Sequence, residues 1–123
     1  PTFIKQAASN RDLTVNGDGS QTRSFCYIDD LIDGILQLMN SEYSYPVNIG
    51  NDDEVTINEI ASILIYKLNS KSKIIYNNLP EDDPLKRKPD LSLAKKILNW
   101  SPKINKEDGF EMLIKYYKKN NLI

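Results

Sequence analysis

The sequence contains no histidine. That removes the commonest general base and the commonest transition-metal ligand, so any chemistry falls to carboxylates, tyrosine, lysine, arginine or groups supplied by another segment. Cys26 is the single cysteine, which excludes an internal disulfide and argues against a cysteine-based metal site; no metal ligands are expected. No apolar run approaches the roughly 20 residues that a membrane-spanning helix needs, and the N-terminus lacks the basic-then-apolar layout of a signal peptide. The expectation is a cytoplasmic protein with no membrane partner. Sixteen basic and 17 acidic residues leave a net charge of -1, so no global field draws the chain to nucleic acid. Asn99-Trp100-Ser101 has the glycosylation spacing, but Pro102 follows it and the match reads as chance.

What remains is enough for one compact domain: 123 residues, without internal repeats or low-complexity runs. Pro1 to Ala8 reads as the middle of a helical face, so a piece of a longer protein is a live expectation. Leu13-Thr14-Val15 is a short β-branched run, and Asn16-Gly17-Asp18-Gly19-Ser20 is dense in turn formers. Ser24 to Ile28 has strand character and stops at Asp29 and Asp30, which are placed to cap the next helix. In that helix Leu31, Ile32, Ile35, Leu36, Leu38 and Met39 form a wide apolar face, read as buried on more than one side, and Gly34 permits a close approach.

Pro46 to Gly50 reads as a short strand ending in a glycine turn. Thr56-Ile57-Asn58-Glu59 has capping-box spacing and opens a helix to about Leu68, whose apolar positions 57, 60, 61, 64, 65 and 68 make one stripe. Lys73 to Tyr76 is the last strand. Asp90 and Asn105 stand where two further helices begin, the first closed by Trp100 and Pro102, the second with Phe110, Leu113, Ile114 and Tyr117 on its inner side. The fold class is α/β: a small mixed sheet of short strands covered by helices.

Several motifs have a structural reading that costs less than the chemical one. Gly17-Asp18-Gly19-Ser20 begins like a dinucleotide fingerprint, but the third glycine is missing and a strand follows, so it is a turn. Asp29 and Asp30, and Asp52-Asp53-Glu54, sit at expected helix starts, where capping and the helix dipole account for them. The Tyr116-Tyr117-Lys118-Lys119 end is an amphipathic helix, and Cys26 a small buried hydrophobe. Arg23 is different, because an arginine rooted on a strand beside a glycine turn is well held and its fork matches phosphate oxygens; a surface ion pair is the plainer alternative. In Asp82-Asp83-Pro84-Leu85-Lys86-Arg87-Lys88-Pro89-Asp90, two prolines stiffen the path on either side of Arg87, and Asp82 and Asp83 compensate the cations. Composition leaves anion binding and a structural role both open there.

Five segments occur together in one order: Phe3-Ile4-x-Gln6-Ala7; Leu13 to Tyr27 with its Gln21-Thr22-Arg23 element; Asn48-Ile49-Gly50-Asn51; Asp82 to Asp90; and Leu98-x-Trp100-x-Pro102 with Ala94-Lys95 before it. Over nearly the whole chain they resemble the C-terminal part of UDP-glucuronate decarboxylases (UDP-xylose synthases), members of the extended short-chain dehydrogenase/reductase superfamily. The Gln-Thr-Arg and Leu-x-Trp-x-Pro elements are general to sugar-nucleotide epimerases and dehydratases, whereas Lys86-Arg87-Lys88-Pro89 points to the decarboxylase branch.

The resemblance implies that residues 1–123 are the nucleotide-sugar-binding domain of an NAD-dependent enzyme, with the dinucleotide-binding domain lying upstream. No tyrosine here is followed four residues later by lysine, so the family's catalytic pair is absent and the chain alone is expected to be inactive. In the family, NAD oxidises the sugar at C4, carbon dioxide leaves C5, and reprotonation with hydride return gives UDP-xylose. By the same resemblance Arg23 contacts the UDP diphosphate, and Thr14, Val15 and Asn16 lie against uracil and ribose, partly through backbone groups. Where this chain has Asn16 the family often has an aromatic residue. Arg87 is matched to the arginine facing the sugar carboxylate, as an electrostatic positioner or a donor through water. The implied partner is a UDP-sugar, and the full-length enzyme is expected to be a homodimer. A 4-epimerase, a 4,6-dehydratase or a non-catalytic nucleotide-sugar-binding module are the alternatives.

Overall fold

The computed structural model describes residues 1–78 and 84–123; Asp82 and Asp83, read above as compensating the loop's cations, lie outside the described residues. The elements run α1 (Thr2–Ala8), β1 (Leu13–Asn16), β2 (Thr22–Ser24), α2 (Ile28–Met39), β3 (Glu54–Thr56), α3 (Ile57–Lys67), β4 (Ile74–Asn77), α4 (Ser92–Leu98) and α5 (Lys106–Lys119). The strands form two short ladders. β1 pairs parallel with β4, Leu13 opposite Ile74 and Asn16 opposite Asn77, and β2 pairs antiparallel with β3, Thr22 opposite Thr56 and Ser24 opposite Glu54. Alternation places Leu13 and Val15 in the core while Thr14 is half-buried and Asn16 exposed.

The α3 stripe is the centre of the packing, as its period predicts. Ile60, Ala61 and Leu64 are buried, with Ile4, Val55, Phe110 and Ile114 on one side and Ala7 and Leu13 on the other. Each fully buried aliphatic side chain contributes on the order of 2 kcal/mol. The helix opens on the expected capping box: the Thr56 hydroxyl accepts from Glu59 N at 3.1 Å, and the Glu59 carboxylate accepts from Thr56 N at 2.8 Å. Asn105 caps α5 in the same manner, accepting from Asp108 N at 2.9 Å. Asp90 accepts from Ser92 N at 2.9 Å, one residue before the helix boundary it was expected to cap.

Four expectations are corrected. The Ser24–Ile28 strand is displaced: β2 is Thr22–Ser24, and the chain leaves the ladder before Cys26, which is half-buried. The 46–50 segment is extended but belongs to neither ladder. The wide apolar face of α2 is not buried on several sides: among its residues only Asp30 and Gly34 are buried, and Ile28, Ile32, Ile35, Leu36 and Met39 are exposed. Asp29 and Asp30 do not cap α2 through their side chains. Asp30 instead accepts from Lys103 N at 3.0 Å and Ile104 N at 2.9 Å, tying the start of α2 to the segment before α5.

Gly34 makes the close approach its place suggested. A methyl group there would stand 2.5 Å from Ile49 Cγ2 and 2.9 Å from Trp100 Cε2, so α2 lies directly against a third cluster of Leu91, Ala94 and Trp100.

Candidate functional site

The turn between β1 and β2 is built from local chemistry. Gly17 and Gly19 have positive φ (71° and 75°), and Asp18 accepts from both the N–H and the hydroxyl of Ser20, at 2.9 and 2.6 Å. Those bonds hold the Asp18 carboxyl below its usual range. Asn58 at the start of α3 closes the turn, donating its Nδ2 to the Asp18 carbonyl and its N–H to the Gly19 carbonyl. A strand, β2, and not a helix follows the turn in the chain.

Gln21 is the residue the sequence reading passed over. It is buried, donates from Nε2 to the Asn16 carbonyl at 2.6 Å and accepts at its own carbonyl from Ile57 N. Its amide thereby fixes the end of β1 against the start of β2. Burial of a polar residue in a turn has no sequence signature beyond its place in the Gln21-Thr22-Arg23 element.

Arg23 and the Pro84–Pro89 segment, distant in sequence, lie side by side. Arg23 Nη1 donates to the Pro84 carbonyl at 2.9 Å and to the Thr22 carbonyl at 2.8 Å. Thr22 N donates to the Leu85 carbonyl at 2.8 Å, and Ser24 Oγ to the Arg87 carbonyl at 3.2 Å. The segment thus runs along β2 opposite the edge that β3 occupies. Lys88 Nζ stands 3.7 Å from Glu54 Oε2 on β3, and Glu54 is held below its usual range, chiefly by the Thr22 hydroxyl and then by Lys88 and Lys86. The Arg87 side chain is exposed. It borders an open cleft of about 530 Å³ whose other walls include Ser24, Cys26, Asn51 and Lys88. Burial first, and the charge of Asp30 second, push the Cys26 thiol up, which makes it a poor nucleophile.

Of the β1 residues expected at a ligand, Thr14 is engaged by α1: Gln6 Nε2 donates to its hydroxyl at 3.1 Å and Gln6 Oε1 accepts from its N–H at 3.4 Å. Val15 is fully buried, main chain included, while Asn16 is exposed at the strand end beside Gln21. The structure therefore brings Arg23 together with the Arg87 segment and links Asn16 to the same turn, and it turns Val15 inward. Asp52 and Asp53 bind cations instead of capping a helix, with Lys95 Nζ at 3.1 Å and Lys106 Nζ at 3.0 Å. Among the described residues no group of three potential metal ligands occurs, and no helix is long and apolar enough to cross a membrane.

The residues present do not fit a dinucleotide cofactor: the one glycine pair is a strand-to-strand turn, and no Tyr-x-x-x-Lys pair exists.

The α/β arrangement is similar to that of solved epimerases. UDP-glucuronic acid 4-epimerase from Bacillus cereus, solved with UDP-glucuronic acid and NAD, superposes with a TM-score of 0.88 at 30% identity, over 97% of this chain and 39% of that one. An epimerase from Methanothermobacter thermautotrophicus gives a TM-score of 0.94 at 21% identity, covering 99% of this chain and 37% of that one, a likeness of fold alone. Residues 1–50 match the model of the NAD dependent epimerase/dehydratase family. Among curated relatives, UDP-glucuronic acid decarboxylase 1 of Danio rerio is 44% identical over 95% of this chain and 28% of its own length. UDP-glucuronic acid decarboxylase 4 of Arabidopsis thaliana is 40% identical over 94% of this chain and 26% of its own. The chain thus spans about a quarter of the length of these relatives.

Proposed function

We propose that residues 1–123 form the nucleotide-sugar-binding part of an NAD-dependent UDP-glucuronate decarboxylase, a carboxy-lyase that converts UDP-glucuronate to UDP-xylose and carbon dioxide. The observation that carries this reading is the clamping of the Arg23 guanidinium to the Pro84 carbonyl, which sets two arginine-bearing segments side by side. In this arrangement Arg23 holds the diphosphate, where a planar fork on a fixed strand matches two oxygens at once. Arg87 reaches from the adjoining segment to the sugar carboxylate and steadies the negative charge that develops as carbon dioxide leaves. Asn16, exposed at the end of β1, lies along the nucleoside, with Thr14 and Val15 behind it on the strand. Hydride chemistry is supplied by NAD, held by residues outside this chain. By itself the chain binds weakly and does not turn over.

The curated relatives named as decarboxylases support this reading. The superposition on a UDP-glucuronic acid 4-epimerase favours a second one, in which carbon dioxide is never released. The complete gene product is incubated with UDP-glucuronate and NAD, and both sugar nucleotide and gas are measured. UDP-xylose with an equal amount of carbon dioxide is expected. A 4-epimer without gas would replace the proposal with the epimerase reading, and UDP binding without any turnover would leave a binding module.

A further inference from the structure

Asn51 is a polar residue that the packing has nearly closed over, 7% exposed, on the wall of the cleft that Arg87 borders. Its carboxamide is oriented by the turn it makes. Oδ1 accepts from Asp53 N at 2.8 Å, which fixes the oxygen on one side and leaves Nδ2, with two N–H groups, on the other. Among the described residues Nδ2 has no hydrogen-bond partner. A nearly buried donor without an acceptor is destabilising, and native proteins rarely keep one that nothing will meet.

The turn that carries Asn51 is fitted to the Arg87 segment. Gly50 lies against Pro89, where a methyl group would stand 3.3 Å from Pro89 Cγ, and Asn48 Nδ2 donates to the Asp90 carbonyl at 3.2 Å. Residues 48–51 and 87–90 therefore lie side by side, which sets Asn51 and Arg87 on one cleft of about 530 Å³. The two acids that follow Asn51 are engaged elsewhere, Asp52 with Lys95 at 3.1 Å and Asp53 with Lys106 at 3.0 Å. Lys88, the second cation on the wall, is drawn to Glu54 at 3.7 Å. Among the described residues that line the cleft there is no carboxylate, so its charged groups are cations and its fixed amide donor is Asn51. A wall of donors without an acid selects an anion.

We infer that Asn51 Nδ2 is a second donor to the carboxylate of the sugar, meeting one oxygen while Arg87 meets the other, and that it sets the preference for a hexuronate over the neutral hexose. This rests on the functional reading above. Arg87 by itself is an exposed side chain able to pair with any anion, whereas an amide fixed by its own turn adds direction at little loss of freedom. A hydroxymethyl group in place of the carboxylate has a single oxygen and no charge, so one of the two donors stays unpaired. That is how a site built on hydrogen bonds rejects an analogue.

The test measures binding of UDP-glucuronate, UDP-glucose and UDP to the complete gene product by calorimetry, with NADH in place of NAD so that the sugar cannot be oxidised. The parent is compared with Asn51→Ser and Asn51→Asp. A serine hydroxyl can still accept from Asp53 N–H but stops one bond short of Nδ2, while aspartate keeps the acceptor and puts a negative charge where the donor was. Asn51→Ser should weaken UDP-glucuronate about tenfold and Asn51→Asp more, with UDP, UDP-glucose and the melting temperature unchanged. Equal loss for all three ligands, or none for UDP-glucuronate, overturns the inference. Where neither variant folds, the parent decides: the Asn51 Nδ2 protons, assigned by NMR through their own Cβ, should shift with UDP-glucuronate and not with UDP, and protons that UDP-glucuronate leaves in place overturn the inference. A parent that binds UDP-glucuronate no tighter than UDP-glucose defeats the functional reading and the inference together. A parent that discriminates, beside an Asn51→Ser that discriminates equally, defeats the inference and leaves the functional reading standing.

Discussion

Arg23 on β2 donates to the carbonyl of Pro84 at 2.9 Å, a bond between residues 61 positions apart in sequence. Nη1 of the guanidinium holds the neighbouring segment and also donates to the Thr22 carbonyl, on the strand that roots the side chain. Arg23→Ala should therefore act twice. It removes the anchor of the Pro84–Pro89 segment, at a cost of about 1 kcal/mol in stability, and it weakens UDP binding by about tenfold or more, the scale of one charge-assisted hydrogen bond to phosphate. Arg23→Lys keeps the charge but not the fork and should restore less than half of the binding energy, read by calorimetry on the complete gene product.

Arg87 is held through its backbone, by Ser24 Oγ, while its side chain stays exposed. Arg87→Ala should leave the melting temperature within about 1 °C, as surface changes of a few tenths of a kcal/mol do. Turnover of UDP-glucuronate should fall about 100-fold, the usual effect of deleting one group that stabilises developing charge. An unchanged rate would remove Arg87 from the site.

Asp30 is buried and accepts two backbone N–H groups 73 and 74 residues away. Asp30→Ala strands both donors and should destabilise the protein by about 2–3 kcal/mol. Asp30→Asn, which retains an acceptor oxygen, should lose less, and urea denaturation separates the two.

Gly34 and Gly109 both sit within helices and should respond in opposite senses to alanine. The Gly34 methyl would collide with Ile49 and Trp100, whereas the nearest atom to a Gly109 methyl is Tyr27 Cδ2 at 3.6 Å, an ordinary van der Waals distance. Gly109→Ala should stabilise by up to about 1 kcal/mol through helix propensity. Gly34→Ala gains the same propensity and loses about 1–3 kcal/mol to overpacking, so its melting temperature should fall.

The difference between what could be read in the sequence and what could not follows from range. Thr56 with Glu59, Asn105 with Asp108, and the α3 stripe are decided within one or two turns of chain, and each stands where its local pattern placed it. Asp30 has the local pattern of a cap, but its acceptor is claimed by Lys103 and Ile104, which no local window contains. Residues 46–49 and the α2 stripe carry strand and core-helix patterns because sequence records the side chain's preference and not whether a cover is present. Gln21 was illegible for a related reason: its burial depends on Asn16 and Ile57 closing around it.

Acid stability should follow the carboxylates held in their charged form. Glu59 is lowered from its ordinary 4.5 by the Thr56 backbone N–H first and the Thr56 hydroxyl second, Asp90 from 3.8 by Ser92 N–H, and Asp52 from 3.8 by Lys95. A carboxylate whose folded pKa lies below its unfolded value contributes stability that is present above the unfolded value and lost as pH falls through the folded one. The melting temperature should accordingly be flat near neutral pH and begin to fall below about pH 4.5, where the unfolded glutamates take up protons before the folded ones do. Lys106, raised from 10.5 chiefly by Asp53, has the opposite sign, so its share is lost only as pH rises through its folded value. Glu59→Gln tests the assignment, because the neutral amide still accepts from Thr56 N but no longer titrates. The variant should show a shallower acid limb than the parent between about pH 4.5 and pH 3 in a thermal scan series, and an identical slope would place the acid sensitivity in other carboxylates.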